Sequence, residues 1–180
     1  MRKGQVWIET VLYTLIGLAL IGVVLAIATP KINETKDRVV IEQTVEAMNE
    51  FDQKIYSAIE GSEGNVRKIS AFKMKKGSLV IDKENNEIYF LLDDLGKPYS
   101  QPGEIIEDGR VNILTTENPS SYSVKVSISY DGIADIEYEN TEGSVKYNAA
   151  STAYSFTLTN KGDSNQDLIK EIYIEEISGR

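Results

Sequence analysis

The chain has 180 residues, with 19 basic and 28 acidic side chains and a formal charge of −9. It holds no cysteine and no histidine. That excludes disulfides and thiol chemistry, and removes the commonest general base and the commonest metal ligand. Its acidic balance repels phosphates, so nucleic-acid binding by this chain alone is not expected. The length suits one long helix and one further domain of about 120 residues.

The amino-terminal region opens with MRKG and QVWIE and continues as TVLYTLIGLALIGVVLAIATP. No charged side chain occurs from Thr10 to Pro30. About 20 apolar residues is what a helix needs to cross the hydrocarbon core of a bilayer. Arg2 and Lys3 precede the run, and positive residues of this kind stay cytoplasmic, which places the carboxyl-terminal domain outside. One carboxylate, Glu9, stands at the lip of the run. An ionisable group in that position usually faces a partner, and a plain anchor has no use for it.

This arrangement resembles the type IV pilin family, in its archaeal form. The residues that carry the resemblance are Lys3-Gly4 followed by Gln5, the carboxylate of Glu9 and the unbroken apolar run. Trp7 departs from the pattern, standing where archaeal members often have a small residue such as serine. The resemblance covers residues 1 to 30 strongly and the remainder only in architecture. It implies a class III signal peptide, with cleavage by a prepilin peptidase between Gly4 and Gln5. Residues 1–4 are then a leader, and Glu9 becomes the fifth residue of the mature chain. Removing Arg2 and Lys3 leaves 17 basic against 28 acidic side chains, a charge of −11 before the termini are counted.

The same resemblance implies a structural subunit of a surface filament, polymerised through its amino-terminal helix and serving adhesion or attachment. Its implied partners are the peptidase, identical or related subunits, the membrane before assembly and, indirectly, an assembly ATPase and a platform protein. The precursor would sit in the cell membrane with its head outside, and the assembled form at the extracellular surface. A minor pilin or pseudopilin of a secretion or uptake machine is an alternative, as is a membrane-anchored surface protein that never polymerises. A cleaved secretory signal fits less well, because the run exceeds a usual h-region, although Ala26-Ile27-Ala28 approximates a cleavage site.

Residues 31 to 61 read as a continuation of the helix. Ile41, Val45, Met48, Ile55 and Ile59, with Phe51 or Asp52 filling the gap, lie on one face. Glu42, Glu46, Glu50 and Lys54 take the others, and Gly61 and Gly64 are stop signals. From Gln5 to Glu60 such a helix would measure roughly 80 Å. Pro30, at the junction of residues 5–30 with 31–61, removes one hydrogen bond and is expected to kink or loosen the helix. Gly17 and Gly22 read equally as sites of close helix approach and as ordinary membrane-helix composition.

From Asn65 onward the texture changes to period two. Strands are expected at Lys68–Phe72, Ser78–Ile81, Glu87–Leu92, Arg110–Leu114, Tyr122–Tyr130, Ile133–Tyr138 and Thr152–Thr159. Asp82–Asn86 and Asp131-Gly132 read as hairpin turns, and Asn160–Asp163 as the end of a strand. Leu168–Ile174 fits a strand or a short helix. The fold class is therefore α+β: a long amino-terminal helix packed on an antiparallel sheet or small sandwich spanning residues 65–180.

No catalytic constellation, cofactor motif or metal set is expected, and the chain does not read as an enzyme. Asp93-Asp94 and Glu107-Asp108 lack a general-base partner and read as solvated loops. Asp163, Asn165 and Asp167 match the first ligands of a calcium loop, but Leu168 replaces the required glycine and Ile174 the final glutamate. Asn33-Glu34-Thr35 is a glycan sequon, placed too near the membrane to favour occupancy. The tyrosines, ten against four phenylalanines, suit half-buried strands.

Overall fold

The computed structural model describes residues 3–139, 143–163 and 168–177, with side chains from residue 7 onward. Helix α1 spans Lys3–Ile59 and includes Pro30. The chain divides into two compact parts, residues 1–37 and residues 38–180.

In the second part, ten strands follow the helix: β1 (Val66–Phe72), β2 (Ser78–Asp82), β3 (Glu87–Leu95), β4 (Ile105–Asp108), β5 (Val111–Glu117), β6 (Tyr122–Ser129), β7 (Ala134–Tyr138), β8 (Ser144–Asn148), β9 (Tyr154–Gly162) and β10 (Lys170–Glu176). They form a four-stranded sheet in the order β1-β9-β10-β7 and a six-stranded sheet in the order β4-β5-β6-β3-β2-β8. All pairings are antiparallel except β10 with β7. The carboxyl-terminal half of α1 packs against these sheets, and one core unites it with strands of both.

The helical stripe is the one that periodicity dictates. Ile41, Val45, Met48, Phe51, Ile55 and Ala58 are buried, and Asp52 is buried beside Phe51. Phe51 meets the rings of Phe72 and Phe156 at centroid distances of 6.2 and 5.9 Å. The strand residues that face it obey period two, with Phe156, Leu158 and Asn160 buried along β9.

Asn160 is a polar residue on an apolar face, and the helix end explains it. Its Nδ2 donates to the carbonyls of Ala58 (2.8 Å) and Gly61 (3.2 Å), while its Oδ1 accepts from the amide of Gly162 (2.8 Å). Lys170 Nζ donates to the carbonyls of Ile59 and Gly61. The last carbonyls of a helix have no partner within it, and here strands β9 and β10 supply one. Strand β9 runs through Asn160 and ends at Gly162, within the expected Asn160–Asp163 terminus.

The Asp82–Asn86 hairpin forms as expected, with Asp82 Oδ1 accepting from the Asn85 amide at 3.1 Å. Asn86 also reaches the opposite sheet, its Oδ1 accepting from the Ile136 amide at 2.9 Å. Asp131-Gly132, by contrast, does not join a hairpin. Strand β6 is already paired on both edges, by β5 and β3, so the chain crosses to the other sheet and β7 pairs with β10. Leu168–Ile174 resolves as strand, within β10 from Lys170. Gly77, at φ 83, precedes β2 where an added Cβ would lie 2.5 Å from the Leu91 carbonyl oxygen.

Replacing Asn160 by alanine removes one of two donors from each of the Ala58 and Gly61 carbonyls and takes the side-chain acceptor from the Gly162 amide. We expect a loss of about 1–2 kcal/mol in stability, read as a lowered midpoint in urea denaturation of the detergent-solubilised chain. A change below about 0.5 kcal/mol would show that the cap is not made in solution.

Candidate functional site: the exposed apolar half of the helix

Residues 7–37 are helical throughout, and nearly all their side chains lie exposed. Trp7 is 70% exposed, Tyr13 73% and Ile27 72%. The segment is long and apolar enough to cross a membrane, and none of its most apolar stretch is covered by the rest of the chain. A core helix of a soluble domain would be covered; a run like this one in water would expose an apolar patch far beyond what soluble monomers carry.

Its few polar groups are compatible with lipid. Thr14 Oγ1 donates to the Thr10 carbonyl at 2.9 Å and Thr29 Oγ1 to the Leu25 carbonyl at 2.7 Å. Such back-bonding satisfies the hydroxyls within the helix, as the hydrocarbon region demands. Charge returns directly after Pro30, where Lys31 Nζ lies 3.1 Å from Glu34. The uncharged stretch between Glu9 and Lys31 measures about 30 Å along a helix, the thickness of a bilayer core.

Glu9 lies exposed on α1, and among the described residues it has no hydrogen-bond or ion-pair partner. Gly4 and Gln5 belong to the first turn of the helix, while Arg2 lies outside the described residues and Lys3 begins α1. A Cβ added at Gly17 or Gly22 would meet nothing within 4 Å. Packing within this chain therefore does not require glycine at either position.

The acidic pairs are not loops. Asp93 and Asp94 lie in β3, where the register against β6 shifts between Leu92 and Leu95 and Asp94 adopts φ 57. They form a bulge, which the sequence signals only as two acids in an apolar strand. Glu107 and Asp108 end β4, an exposed edge strand joined to β5 through Gly109 (φ 64) and Arg110. The calcium-like spacing ends outside the described residues, which exclude Asn165 and Asp167; Asp163 Oδ2 accepts from the Leu168 amide at 3.0 Å.

A partly buried ion pair joins the helix to the turn that leads into β5, and sequence reasoning missed it. Arg110 Nε lies 3.4 and 3.3 Å from the two oxygens of Asp52, and a terminal nitrogen of its guanidinium donates to the Ser129 carbonyl at 2.9 Å. The guanidinium stacks on Tyr56 at 4.9 Å and reaches the Tyr130 ring at 5.7 Å. The two charges answer each other across the join, so the pair is a latch between helix and sheet. Tyr130 Oη is buried without a hydrogen-bond partner among the described residues. Burial pushes its pKa well above the ordinary tyrosine value, and the Asp52 carboxylate adds in the same direction.

No protein-family model, curated protein or solved structure matches this chain.

Tyr130 gives a pH-dependent prediction. The folded state holds the phenol proton to higher pH than the unfolded chain, whose tyrosines titrate near 10. This contribution is fully present below about pH 10 and is lost as pH rises toward the folded value. Tyr130→Phe should be within about 1 kcal/mol of the parent at pH 7, since no hydrogen bond is broken. It should also flatten the fall in stability above pH 10, followed by circular dichroism. An unchanged alkaline profile would remove Tyr130 as the source.

Proposed function

We propose that this chain is a pilin-like structural subunit, held in the membrane by the apolar half of α1 before assembly and polymerised through it afterwards. The observation that carries this reading is a bilayer-length apolar helix, left uncovered by its own chain, that continues into the core helix of a β-sandwich head. A lone carboxylate at the amino-terminal lip of that run is the second support. Arg2 and Lys3 set the head outside by the positive-inside bias.

The mechanism follows from what each residue requires. Lipid covers the apolar half in the precursor. Prepilin peptidase cleavage between Gly4 and Gln5 removes both leader charges and creates an α-amino group on Gln5. In the filament the apolar halves of neighbouring subunits cover one another, and Glu9 of one subunit meets the amine of another. Leaving one member of a buried ion pair alone costs about 3–5 kcal/mol, so a subunit docked out of register is rejected. Packing of the apolar faces supplies most of the association, and Glu9 supplies register. Adhesion or surface attachment is the role this architecture serves.

Glu9→Ala and Glu9→Leu test the assignment. Both variants should insert in the membrane and keep a folded head, yet yield at least tenfold fewer filaments in sheared surface fractions. Normal filament yield from either would remove Glu9 as the register device. A chain that remains wholly in the membrane in its parent form would favour the non-polymerising anchor instead.

A further inference from the structure

Two surface grooves flank the carboxyl-terminal half of α1, and they carry opposite charge. Consecutive helical residues are rotated by about 100°, so Glu46 and Ala47 fall on different flanks. One groove is lined by Glu46, Asn49 and Glu50 of the helix together with Asp108 at the end of β4. The other is lined by Gln43 and Ala47 of the helix with Lys73 and Lys75 from the β1–β2 connection. A further depression shares Lys73 and Lys75 and extends to Ala149 and Ala150. No ion pair among the described residues engages Glu46, Glu50, Asp108, Lys73 or Lys75.

The surfaces match in apolar character as well. Strand β4 is an unpaired edge on which Ile105 is 61% and Ile106 44% exposed. Period two sets Ile106 on the same side as Asp108. The lysine groove has an apolar floor of Phe72, Met74 and Phe90 beneath its charged rim. The lysine groove is thus apolar within and charged at the border, and the acidic groove is polar with the exposed isoleucines of β4 beside it, a pairing suited to a protein–protein contact. Lysines clustered against the strongly negative charge of the whole chain find a complementary surface on another copy of the same head.

We propose that in the assembled form the acidic flank of one head, Glu46, Glu50 and Asp108 with Ile106, docks on the Lys73–Lys75 groove of a second copy. The contact is heterologous, joining two different patches, and such contacts propagate into open assemblies unless a rotation closes them. The proposal rests on the polymer reading and adds to it the head surfaces that touch. It also explains how heads of high like charge pack: opposite local charges meet although the net charges repel.

The absence of cysteine makes the test clean. Full-length Glu50→Cys and Lys75→Cys chains are co-expressed, surface filaments are sheared, and mild oxidation follows. A disulfide-linked dimer is expected from the pair and at least fivefold less from either variant alone. In parallel, Glu46→Lys/Glu50→Lys and Lys73→Glu/Lys75→Glu should each cut filament yield at least fivefold, and the chain carrying all four changes should recover most of it. Filaments that form from the paired cysteine variants without the cross-link would overturn this contact while leaving the polymer reading intact. Failure of the four-fold variant to recover, with a folded head by circular dichroism, would overturn it also. If the unaltered chain forms no filaments, both readings fall.

Discussion

An uncovered apolar helix in water is the constraint on which everything else depends. From Thr10 to Thr29 the chain presents aliphatic and aromatic side chains outward, and nothing in its own fold answers them. Burial of apolar surface yields about 25 cal/mol for each Å², so a surface of this size must find lipid or other helices. The internal hydrogen bonds of Thr14 and Thr29 suit either destination. Only Glu9 suits neither when alone, because an isolated carboxylate is costly to take from water.

The second half of α1 solves a different problem. It must be a core element of the head while remaining one continuous helix with an apolar segment whose partners lie elsewhere. Three features fix it to the sheets. Phe51 sits among the rings of Phe72 and Phe156, Arg110 clasps Asp52, and Asn160 with Lys170 closes the helix end. Load applied along such a helix would reach the head through these contacts. Those polar contacts join residues far apart in sequence, so each can hold the helix only once the sandwich has formed.

The amphipathic stripe of α1, from Ile41 to Ile55, was legible because one face is buried and period 3.6 is preserved. The strands around Ser78–Ile81, Glu87–Leu92 and Tyr122–Tyr130 were legible for the same reason at period two. Three kinds of feature were not. Strand β4 is exposed at all four residues, so it has no burial pattern to read. The crossing after Tyr130 depends on which edges β6 has left open, a property of the whole sheet. Asn160 and Arg110 act on residues more than fifty positions away, beyond the reach of any local pattern. At the apolar half the reverse holds: Glu9, Arg2, Lys3 and the run are all local, and sequence alone carries that reading.

In the proposed filament, Glu9 acquires a partner only when a new amine exists at Gln5. The most direct measurement is therefore the native amino terminus, by mass spectrometry of protein sheared from the cell surface and of protein left in the membrane. The account predicts that surface-filament protein begins at Gln5 with a free α-amino group. Filament protein that retains Arg2 and Lys3, or that begins after Ala28, would contradict it.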